Sequence, residues 1–300
     1  MNCPNKTGNN QCSRVVQGPN RNIAVLVMGI TLFAVMFSPS RSDAMLEHHF
    51  LFLPAQQLTS EPSQAGLEFS DVTLHTSDNL NLHAWWLPGK PDHTALLFCH
   101  GNAGNISDRI YQLRFLNELG LSVLIFDYRG YGRSEGEADE EGTYTDARAA
   151  LAWLRQQGWT DDRIFLYGRS LGAAVAVQLA TENKTAGVIL ETPFTSIADM
   201  GWRHYPLLYA ILGWLFNASY DNFAKIGQIE SPLLIIHGAE DEIVPVEMAR
   251  NLLTRTTNPK QLYIVPNGGH NDLFFMIDPG YRDTWGNFVR SNGTNGTMSE

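Results

Sequence analysis

The chain has 300 residues, of which 44% are hydrophobic and 17% charged, so it is long enough to bury one large core. Its formal net charge of -10 and its pI near 5.3 argue against nucleic acid as the main partner, because phosphate binding needs a basic surface. Of its three cysteines, Cys99 alone lies outside the N-terminal tail, and no Cys/His spacing resembles a zinc site. The sequence therefore predicts neither an intradomain disulfide nor a metal centre.

The first 45 residues differ in composition from the rest of the chain. Residues 1–22 are polar and include basic side chains, whereas residues 23–37 carry no charge. This run is shorter than the ~20 residues that a membrane-spanning helix needs, but it suits the core of a signal peptide. We predict a polar tail at 1–22 and a signal peptide or membrane anchor at 23–45. The basic residues before the run favour an exported domain.

Three outcomes are open for this N-terminal segment. A retained segment anchors the protein to a membrane, with the following domain on the exported side. A cleaved signal peptide makes the protein periplasmic or secreted, and the small residues Ser38, Ser40 and Ala44 suit cleavage. The third outcome is a buried N-terminal helix. We expect the anchor, and with it membrane association through this segment.

Strands and helices alternate from about residue 69 onward. Residues 68–78 and 80–88 predict an antiparallel pair joined by a turn. Continuous apolar runs then predict parallel strands buried on both faces, with amphipathic helices between them: TALLFCH, SVLIFDY, RIFLYG, GVILET, PLLIIHG and QLYIVP. The pattern predicts an α/β fold with a mostly parallel, doubly wound sheet, and ligands at the carboxyl ends of its strands.

One connection, between GVILET and PLLIIHG, is longer than a simple crossover needs. We predict a short helical cap insert at about residues 195–228, rich in large apolar side chains. Trp202, Tyr205 and Trp214 are predicted to line a pocket for an apolar substrate group. The alternative is that the insert packs against the core, and both can hold at once.

A glycine-flanked serine stands where one predicted strand becomes a helix. Residues 168–172 read G-R-S-L-G, which is the G-x-S-x-G pattern in its required context of strand before and helix after. Small flanking residues let the serine hydroxyl project from a tight turn, and the helix N-terminus directs positive charge toward it. The pattern also occurs in ordinary glycine-rich turns, but its position favours Ser170 as a nucleophile.

A serine nucleophile needs a base, and the base needs an orienting carboxylate. The loop after PLLIIHG offers Glu240, Asp241 and Glu242, of which we assign Asp241 as the acid and the other two as solvated charges. The loop after QLYIVP offers His270, which we assign as the base. His237, at the end of a strand, is predicted to be a buried, hydrogen-bonded residue.

Two backbone N–H groups are expected to stabilise the charge that develops on the carbonyl oxygen. One is that of Leu171, directly after the nucleophile. The other comes from the glycine-rich loop HGNAGN at 100–105, where we assign Asn102, with Ala103 as the competitor. The alternative of a phosphate-binding loop is disfavoured, because the lysine and spacing of a P-loop are missing from this loop.

Five motifs in order resemble those of α/β-hydrolases: CHGNAGN, DYRGYGRSEG, GRSLGAAVA, HGAEDEIVP and GGHND. More narrowly, the chain resembles the branch of small, often N-terminally anchored serine hydrolases that includes eukaryotic protein depalmitoylases and uncharacterised bacterial members. The likeness covers about residues 66–290. It implies a triad of Ser170, Asp241 and His270, with oxyanion donors at Leu171 and Asn102. Depalmitoylases anchor through a cysteine-rich N-terminus, which the sparse Cys3 and Cys12 do not reproduce.

These observations predict a serine hydrolase that cleaves a carboxylic ester or thioester through an acyl-enzyme, with no metal or organic cofactor. Its expected partner is a small-molecule or lipid-like substrate with an apolar acyl group. The catalytic domain is predicted at 46–290 and a disordered tail at 291–300. The alternatives are a serine peptidase of the same fold and a non-catalytic binding protein.

Overall fold

Eight strands form a single sheet at the centre of the domain. The computed structural model describes residues 51–90, 94–215, 218–275 and 278–293. The strands are β1 (Ser70–His75), β2 (Asn81–Leu87), β3 (Ala95–Cys99), β4 (Ser122–Phe126), β5 (Ile164–Arg169), β6 (Gly187–Glu191), β7 (Leu233–Gly238) and β8 (Lys260–Val265).

The sheet is mixed, with most of its strands parallel. Its spatial order is β1-β2-β4-β3-β5-β6-β7-β8. Strand β2 pairs antiparallel with both β1 and β4, and all further pairs are parallel. Strands β3 to β7 are buried along their whole length, as their continuous apolar runs require when helices cover both faces. The predicted fold class is confirmed.

Helices lie between the strands and cover both faces of the sheet. The α-helices are α1 (Ile110–Glu118), α2 (Glu140–Gln156), α3 (Leu171–Glu182), α4 (Ile197–His204), α5 (Pro206–Leu212), α6 (Asn222–Lys225), α7 (Val246–Thr254) and α8 (Pro279–Asn292). Short 3-10 helices span Pro62–Ala65, Ile106–Arg109, Asp161–Arg163, Gly213–Leu215 and Ile226–Gln228.

Two hydrophobic cores form because successive strand residues point to opposite faces. On β5, Leu166 joins the core under α2, α3 and α7, whereas its neighbour Tyr167 joins the core under α1 and α8. The second core contains stacked Phe98 and Tyr167, with Trp285 of α8 packed edge-on against Tyr167. Packing on both faces fixes the positions of the strand ends, from which the functional loops emerge.

The loops of interest leave one edge of the sheet. Strand β3 lies between β4 and β5, so the chain order reverses there, and ligands bind at such switch points in open α/β sheets. At the carboxyl end of β3, Cys99 pairs with Gly168 of β5, so the loops after these strands are neighbours. At the far side Gly238 of β7 pairs with Val265 of β8, which places their loops together as well.

The ends of the chain differ in part from the predicted boundaries. Helix α8 ends at Asn292 and so extends into the range 291–300 that was predicted as a tail. The predicted segments at 1–22 and 23–45 lie outside the described residues, as do residues 294–300. Among the residues that the structure describes, no helix has the length and apolar character needed to cross a membrane.

Gly172 offers a test of how closely α3 packs on the end of β3. A Cβ atom at this position would overlap the backbone carbonyl groups of Cys99 and His100, which cannot move without shifting the strand end. We expect Gly172→Ala to lower the free energy of unfolding by about 1–3 kcal/mol, as overpacking does in well-packed cores. Urea denaturation measures this change.

Gln178→Ala is the matched control, because this half-buried side chain lies on the same helix and contacts Glu182. Its effect is expected to stay within about 0.5 kcal/mol. Equal stabilities of the Gly172→Ala variant and the wild type would contradict the packing described here.

Candidate active site

Ser170 occupies a strained turn between β5 and α3. Its φ of 52° and ψ of -116° lie outside the regions that residues other than glycine normally adopt. Such conformations cost about 1–3 kcal/mol and persist only where the surrounding structure fixes them. The Ser170 N–H donates to the Glu191 carbonyl at 2.9 Å, and a Cβ at Gly168 would overlap Gly172 and Ala173 of the helix. Glycine at these flanking positions therefore allows the turn, which leaves the serine side chain partly exposed.

The three side chains predicted as a triad form one chain of hydrogen bonds. His270 Nε2 lies 3.1 Å from Ser170 Oγ, and His270 Nδ1 lies 2.8 Å from Asp241 Oδ2. The carboxylate accepts a hydrogen bond from Nδ1–H, and the proton that stays on Nδ1 leaves the lone pair of Nε2 facing the serine hydroxyl. The structure thus brings together residues that lie 100 and 29 positions apart in sequence.

Asp241 is held as a carboxylate by several donors. Its Oδ1 accepts hydrogen bonds from the N–H groups of Ile243 and Val244, and His237 Nε2 lies 3.3 Å from its Oδ2. Burial alone would raise the pKa of Asp241. Hydrogen bonds from His237 and His270 and the interaction with the His270 charge outweigh burial and lower the pKa well below its ordinary value.

His237 is buried, as the sequence predicted, and it donates from Nε2 to the Val244 carbonyl at 2.8 Å. It therefore fixes the turn that carries Asp241, and it contacts the same carboxylate that orients His270. Glu240 and Glu242, the two acidic neighbours predicted to be solvated, are exposed.

The loop after β3 runs directly beside the serine. A Cβ at Gly101 would lie 3.2 Å from the Arg169 carbonyl oxygen and 3.5 Å from Ser170 Cβ, so glycine allows this close approach. Among the described residues, no group accepts a hydrogen bond from the N–H of Asn102, and Leu171 opens α3, where the N–H has no partner within the helix. The N–H of Ala103, the predicted competitor, is bound to Asn102 Oδ1 at 2.8 Å.

Arg109 and His100 orient the peptide that carries the Asn102 N–H. Arg109 Nη2 donates to the carbonyl oxygens of Gly101, Asn102 and Ala103, and His100 Nδ1 lies 2.8 Å from the Gly101 oxygen. A trans peptide directs its C=O and the following N–H to opposite sides. Because these donors hold the Gly101 carbonyl, the Asn102 N–H points away from Arg109.

His100 is neutral in this position. Burial, and then the nearby Arg109 charge, lower the pKa of His100 to about 3. A neutral imidazole that contacts a carbonyl oxygen through Nδ1 carries its proton there, so the Gly101 contact is a donated hydrogen bond. His100 thus helps to hold the loop in place through its hydrogen bond to the Gly101 carbonyl.

Arg169, the variable residue of the elbow motif, supports the loop that carries the base. Its Nη2 donates to the His270 carbonyl at 2.6 Å and to Asn271 Oδ1 at 2.9 Å, while its Nε donates to Glu191 Oε1 at 3.0 Å. The Tyr281 hydroxyl donates to the second Glu191 oxygen at 2.7 Å. A buried ion pair of this kind fixes His270 from the backbone side.

The predicted substrate-lining residues lie on exposed surfaces of the insert. Trp202, Tyr205 and Trp214 are 53%, 66% and 77% exposed, on or beside helices α4 and α5. The insert reaches the site by another residue, His204, whose Nε2 donates to the Ile243 carbonyl in the Asp241 loop at 2.7 Å. The assignment of the three aromatic residues as a pocket lining stays a prediction.

A cavity of about 320 Å³ opens beside His270. Most of its lining is polar and includes Glu240, Glu242 and Asp272, with Ile243 as an apolar member. The cavity is lined by His270 and its loop neighbours, and Trp202, Tyr205 and Trp214 are not among its lining residues.

Comparison with known proteins identifies the family. A family model described as "Serine aminopeptidase, S33" matches residues 90–225, and one described as "alpha/beta hydrolase fold" matches residues 203–276. The alpha/beta hydrolase domain-containing protein WAV2 of Arabidopsis thaliana is 34% identical over 71% of this chain and 76% of its own length. This chain belongs to the α/β-hydrolase family. The predicted resemblance is confirmed.

Further relatives of this α/β-hydrolase come from bacteria and fungi. An uncharacterized protein of Mycobacterium tuberculosis is 43% identical over 67% of this chain and 72% of its own length. A protein of Saccharomyces cerevisiae described as an uncharacterized membrane protein is 34% identical over 80% of this chain and 86% of its own length. An esterase of Pyrococcus furiosus superposes with a TM-score of 0.68 at 22% identity, over 81% of this chain and 98% of its own, which shows the shared fold.

The pKa of Asp241 predicts how its contribution to stability depends on pH. A carboxyl group whose pKa is lowered by folding stabilises the protein above its unfolded-state pKa of about 3.9, and this contribution is lost as the pH falls toward the folded-state value. We therefore expect the free energy of unfolding of wild type to exceed that of Asp241→Asn, and we expect this margin to be largest at pH 6–7. The margin should shrink as the pH falls below about 4.

Urea denaturation at several pH values measures this margin, with Glu242→Gln as the control for an exposed neighbour. The control should track wild type throughout. A margin that grows on acidification would show that folding does not lower the pKa of Asp241.

Proposed function

We propose that this α/β-hydrolase cleaves carboxylic esters or thioesters through a covalent acyl-enzyme on Ser170. The observation that carries the proposal is the continuous hydrogen-bond chain from Asp241 through His270 to the hydroxyl of Ser170, at 2.8 and 3.1 Å. Membership of the family supports hydrolase activity. The proposal is further supported by the N–H groups of Leu171 and Asn102, which have no hydrogen-bond partner among the described residues, because acyl transfer needs a nucleophile, a base and oxyanion donors.

In the acylation step, Ser170 Oγ attacks the substrate carbonyl while His270 Nε2 accepts the hydroxyl proton. Asp241 stabilises the imidazolium that forms, and the N–H groups of Leu171 and Asn102 receive the negative charge on the carbonyl oxygen. The tetrahedral intermediate collapses when the bond to the leaving oxygen or sulfur breaks. His270 then returns its proton to that leaving group.

Deacylation repeats the sequence with water. His270 removes a proton from a water molecule, whose oxygen attacks the acyl carbon of the ester formed with Ser170. The same two N–H groups hold the second oxyanion. Cleavage of the bond to Ser170 Oγ releases the carboxylic acid, and His270 reprotonates the serine. Every proton is transferred by His270, so the proposed cycle requires no metal or organic cofactor.

An apolar acyl group is the proposed substrate class. The insert exposes several large apolar side chains, including Trp202, Tyr205 and Trp214, and it contacts the Asp241 loop through His204. Exposed aromatic residues on an insert that contacts the Asp241 loop favour binding of an acyl chain. The predicted anchor at residues 23–45 is consistent with this class.

A serine peptidase is the second candidate, because one matching family model is described as a serine aminopeptidase. Ester, thioester and amide substrates use the same nucleophile, base and oxyanion donors, so the triad alone does not separate them. Substrate preference is therefore measured with all three classes of substrate.

Removal of the Ser170 hydroxyl tests the proposed chemistry. We expect wild type to react with a fluorophosphonate probe and to hydrolyse nitrophenyl esters. Ser170→Ala should lose the label, and its kcat should fall by ~10⁴-fold or more, because the oxyanion donors alone leave little catalysis. Ser63→Ala is the control, since Ser63 is exposed on a short helix away from the triad. Labelling that persists in Ser170→Ala would remove the proposed nucleophile.

Substrate classes are compared on the same wild-type preparation. Nitrophenyl esters from acetyl to octanoyl, acyl-CoA thioesters and aminoacyl nitroanilides are offered in parallel. We expect kcat/KM to rise with acyl chain length. A preference for acetyl over octanoyl would contradict the apolar acyl class, and faster turnover of the nitroanilides would favour the peptidase.

A further inference from the structure

The residues that lead into the catalytic domain run along the loop that carries the Asn102 N–H. We call residues 51–57 the entry strap. Its Leu53 N–H donates to Asn102 Oδ1 at 3.1 Å, and Asn102 Nδ2 donates to the carbonyl oxygen of Leu51. Gly104 N–H donates to the Leu53 oxygen, and Ala55 N–H donates to the Gly104 oxygen, both at 3.0 Å. The strap and the loop are thus joined by backbone and side-chain bonds on both sides of Pro54.

The entry strap is itself fixed to the domain. Phe52 is 1% exposed and packs edge-on against Tyr220, at 6.5 Å between ring centroids. Asn105 Nδ2 donates to the carbonyl oxygens of Ala55 and Gln57, at 3.0 and 2.9 Å. A strap that is held at both ends acts as a rigid support for the residues bound to it.

The side chain of Asn102 connects the strap, the loop and the core. Its Oδ1 accepts from the N–H groups of Leu53 and Ala103 and from the buried hydroxyl of Tyr131, the last at 2.7 Å. The residue proposed to donate to the oxyanion through its backbone is therefore held in place through its own side chain.

The loop needs such support because its backbone is strained. Ala103 and Gly104 have φ values of 64° and 73°, and a left-handed conformation is unfavourable for alanine. Arg109 holds the carbonyl groups of this turn from one side, and the entry strap holds Asn102 and Gly104 from the other. Without the strap, the turn would lose bonds that keep it from relaxing, and the peptide that carries the Asn102 N–H would be held only by Arg109 and His100.

We propose that the entry strap is a positioning element of the active site, an inference that rests on the proposed acyl-transfer function. It acts through Asn102, whose N–H it holds toward the developing oxyanion. The charge on the carbonyl oxygen appears only after attack, so a misdirected donor lowers kcat more than it raises KM.

A matched pair of substitutions at Leu53 tests the strap in the full-length protein. The Leu53 side chain is 55% exposed, so Leu53→Ala should keep both stability and kcat close to wild type. Leu53→Pro removes the N–H that donates to Asn102 Oδ1. We expect kcat for a nitrophenyl ester to fall about 10- to 100-fold in Leu53→Pro, less than the ~10²–10³ for complete loss of a donor, with KM within about threefold.

Two further variants keep the test valid if Leu53→Pro fails to fold. Tyr131→Phe removes only the hydroxyl bound to Asn102, and Asn102→Ala keeps the backbone N–H but loses every bond of the side chain. Both are expected to lower kcat with little change in KM, and Asn102→Ala by more. Tyr263→Phe is the control, because it deletes a hydroxyl that is bonded to Asp278 and lies on β8, an edge strand separated from β3 by three other strands.

The outcomes distinguish a failure of the strap proposal from a failure of the proposed acyl-transfer function. If wild type is labelled at Ser170 and turns over esters, but Leu53→Pro, Tyr131→Phe and Asn102→Ala keep wild-type kcat, the strap inference is overturned and the proposed function stands. If wild type is neither labelled nor active, the proposed function fails and the inference falls with it. A loss of kcat confined to the variants that disturb Asn102, with normal KM and an unaffected Tyr263→Phe control, supports the strap.

Discussion

The backbone of Ser170 is the constraint around which the rest of the site is arranged. A serine with φ of 52° and ψ of -116° is unfavourable by itself, and the fold holds it there through the bond from its N–H to the Glu191 carbonyl and through the glycines on either side. The unusual conformation points the side chain out at the carboxyl end of β5. Because that end adjoins the end of β3, the loop that follows β3 passes within contact distance of the serine.

Two arginines then hold the loops that meet at Ser170. Arg109 binds carbonyl oxygens of the loop with the Asn102 N–H, and Arg169 binds the carbonyl of His270. Each arginine binds a backbone carbonyl group and thereby fixes the position of a loop without taking part in the proposed proton transfers. The buried ion pair of Arg169 with Glu191 also links the base to the strand that accepts the Ser170 N–H. Nucleophile and base are therefore positioned by one connected network.

The sequence was sufficient to predict the sheet and the three side chains that the structure brings together, because both depend on local patterns. Buried parallel strands read as apolar runs, and G-x-S-x-G between a strand and a helix has a specific geometric meaning. The roles of Arg109 and of the entry strap could not be read in the same way. They depend on contacts such as that between Leu53 and Asn102, 49 residues apart, for which no local pattern exists.

The helical insert shows a second limit of such reasoning. Its composition predicted aromatic residues near the site, but which side of a short helix faces the protein depends on how the helix docks. The contact with the Asp241 loop is made by His204, a residue whose type alone indicates no particular role, while Trp202 and Trp214 are largely exposed. His204 could have been identified from the sequence as a hydrogen-bonding residue that lies next to several aromatic residues.

Capture of the covalent intermediate tests the central claim most directly. Wild-type protein is mixed with a nitrophenyl ester, quenched in acid within milliseconds and digested, and the peptide that contains Ser170 is examined by mass spectrometry. The account predicts an increase equal to the acyl group on Ser170, formed at the rate of the initial burst of nitrophenol and lost on further incubation. Ester hydrolysis at full rate with the acyl group on another residue, or with no acylated protein at any time, would contradict it.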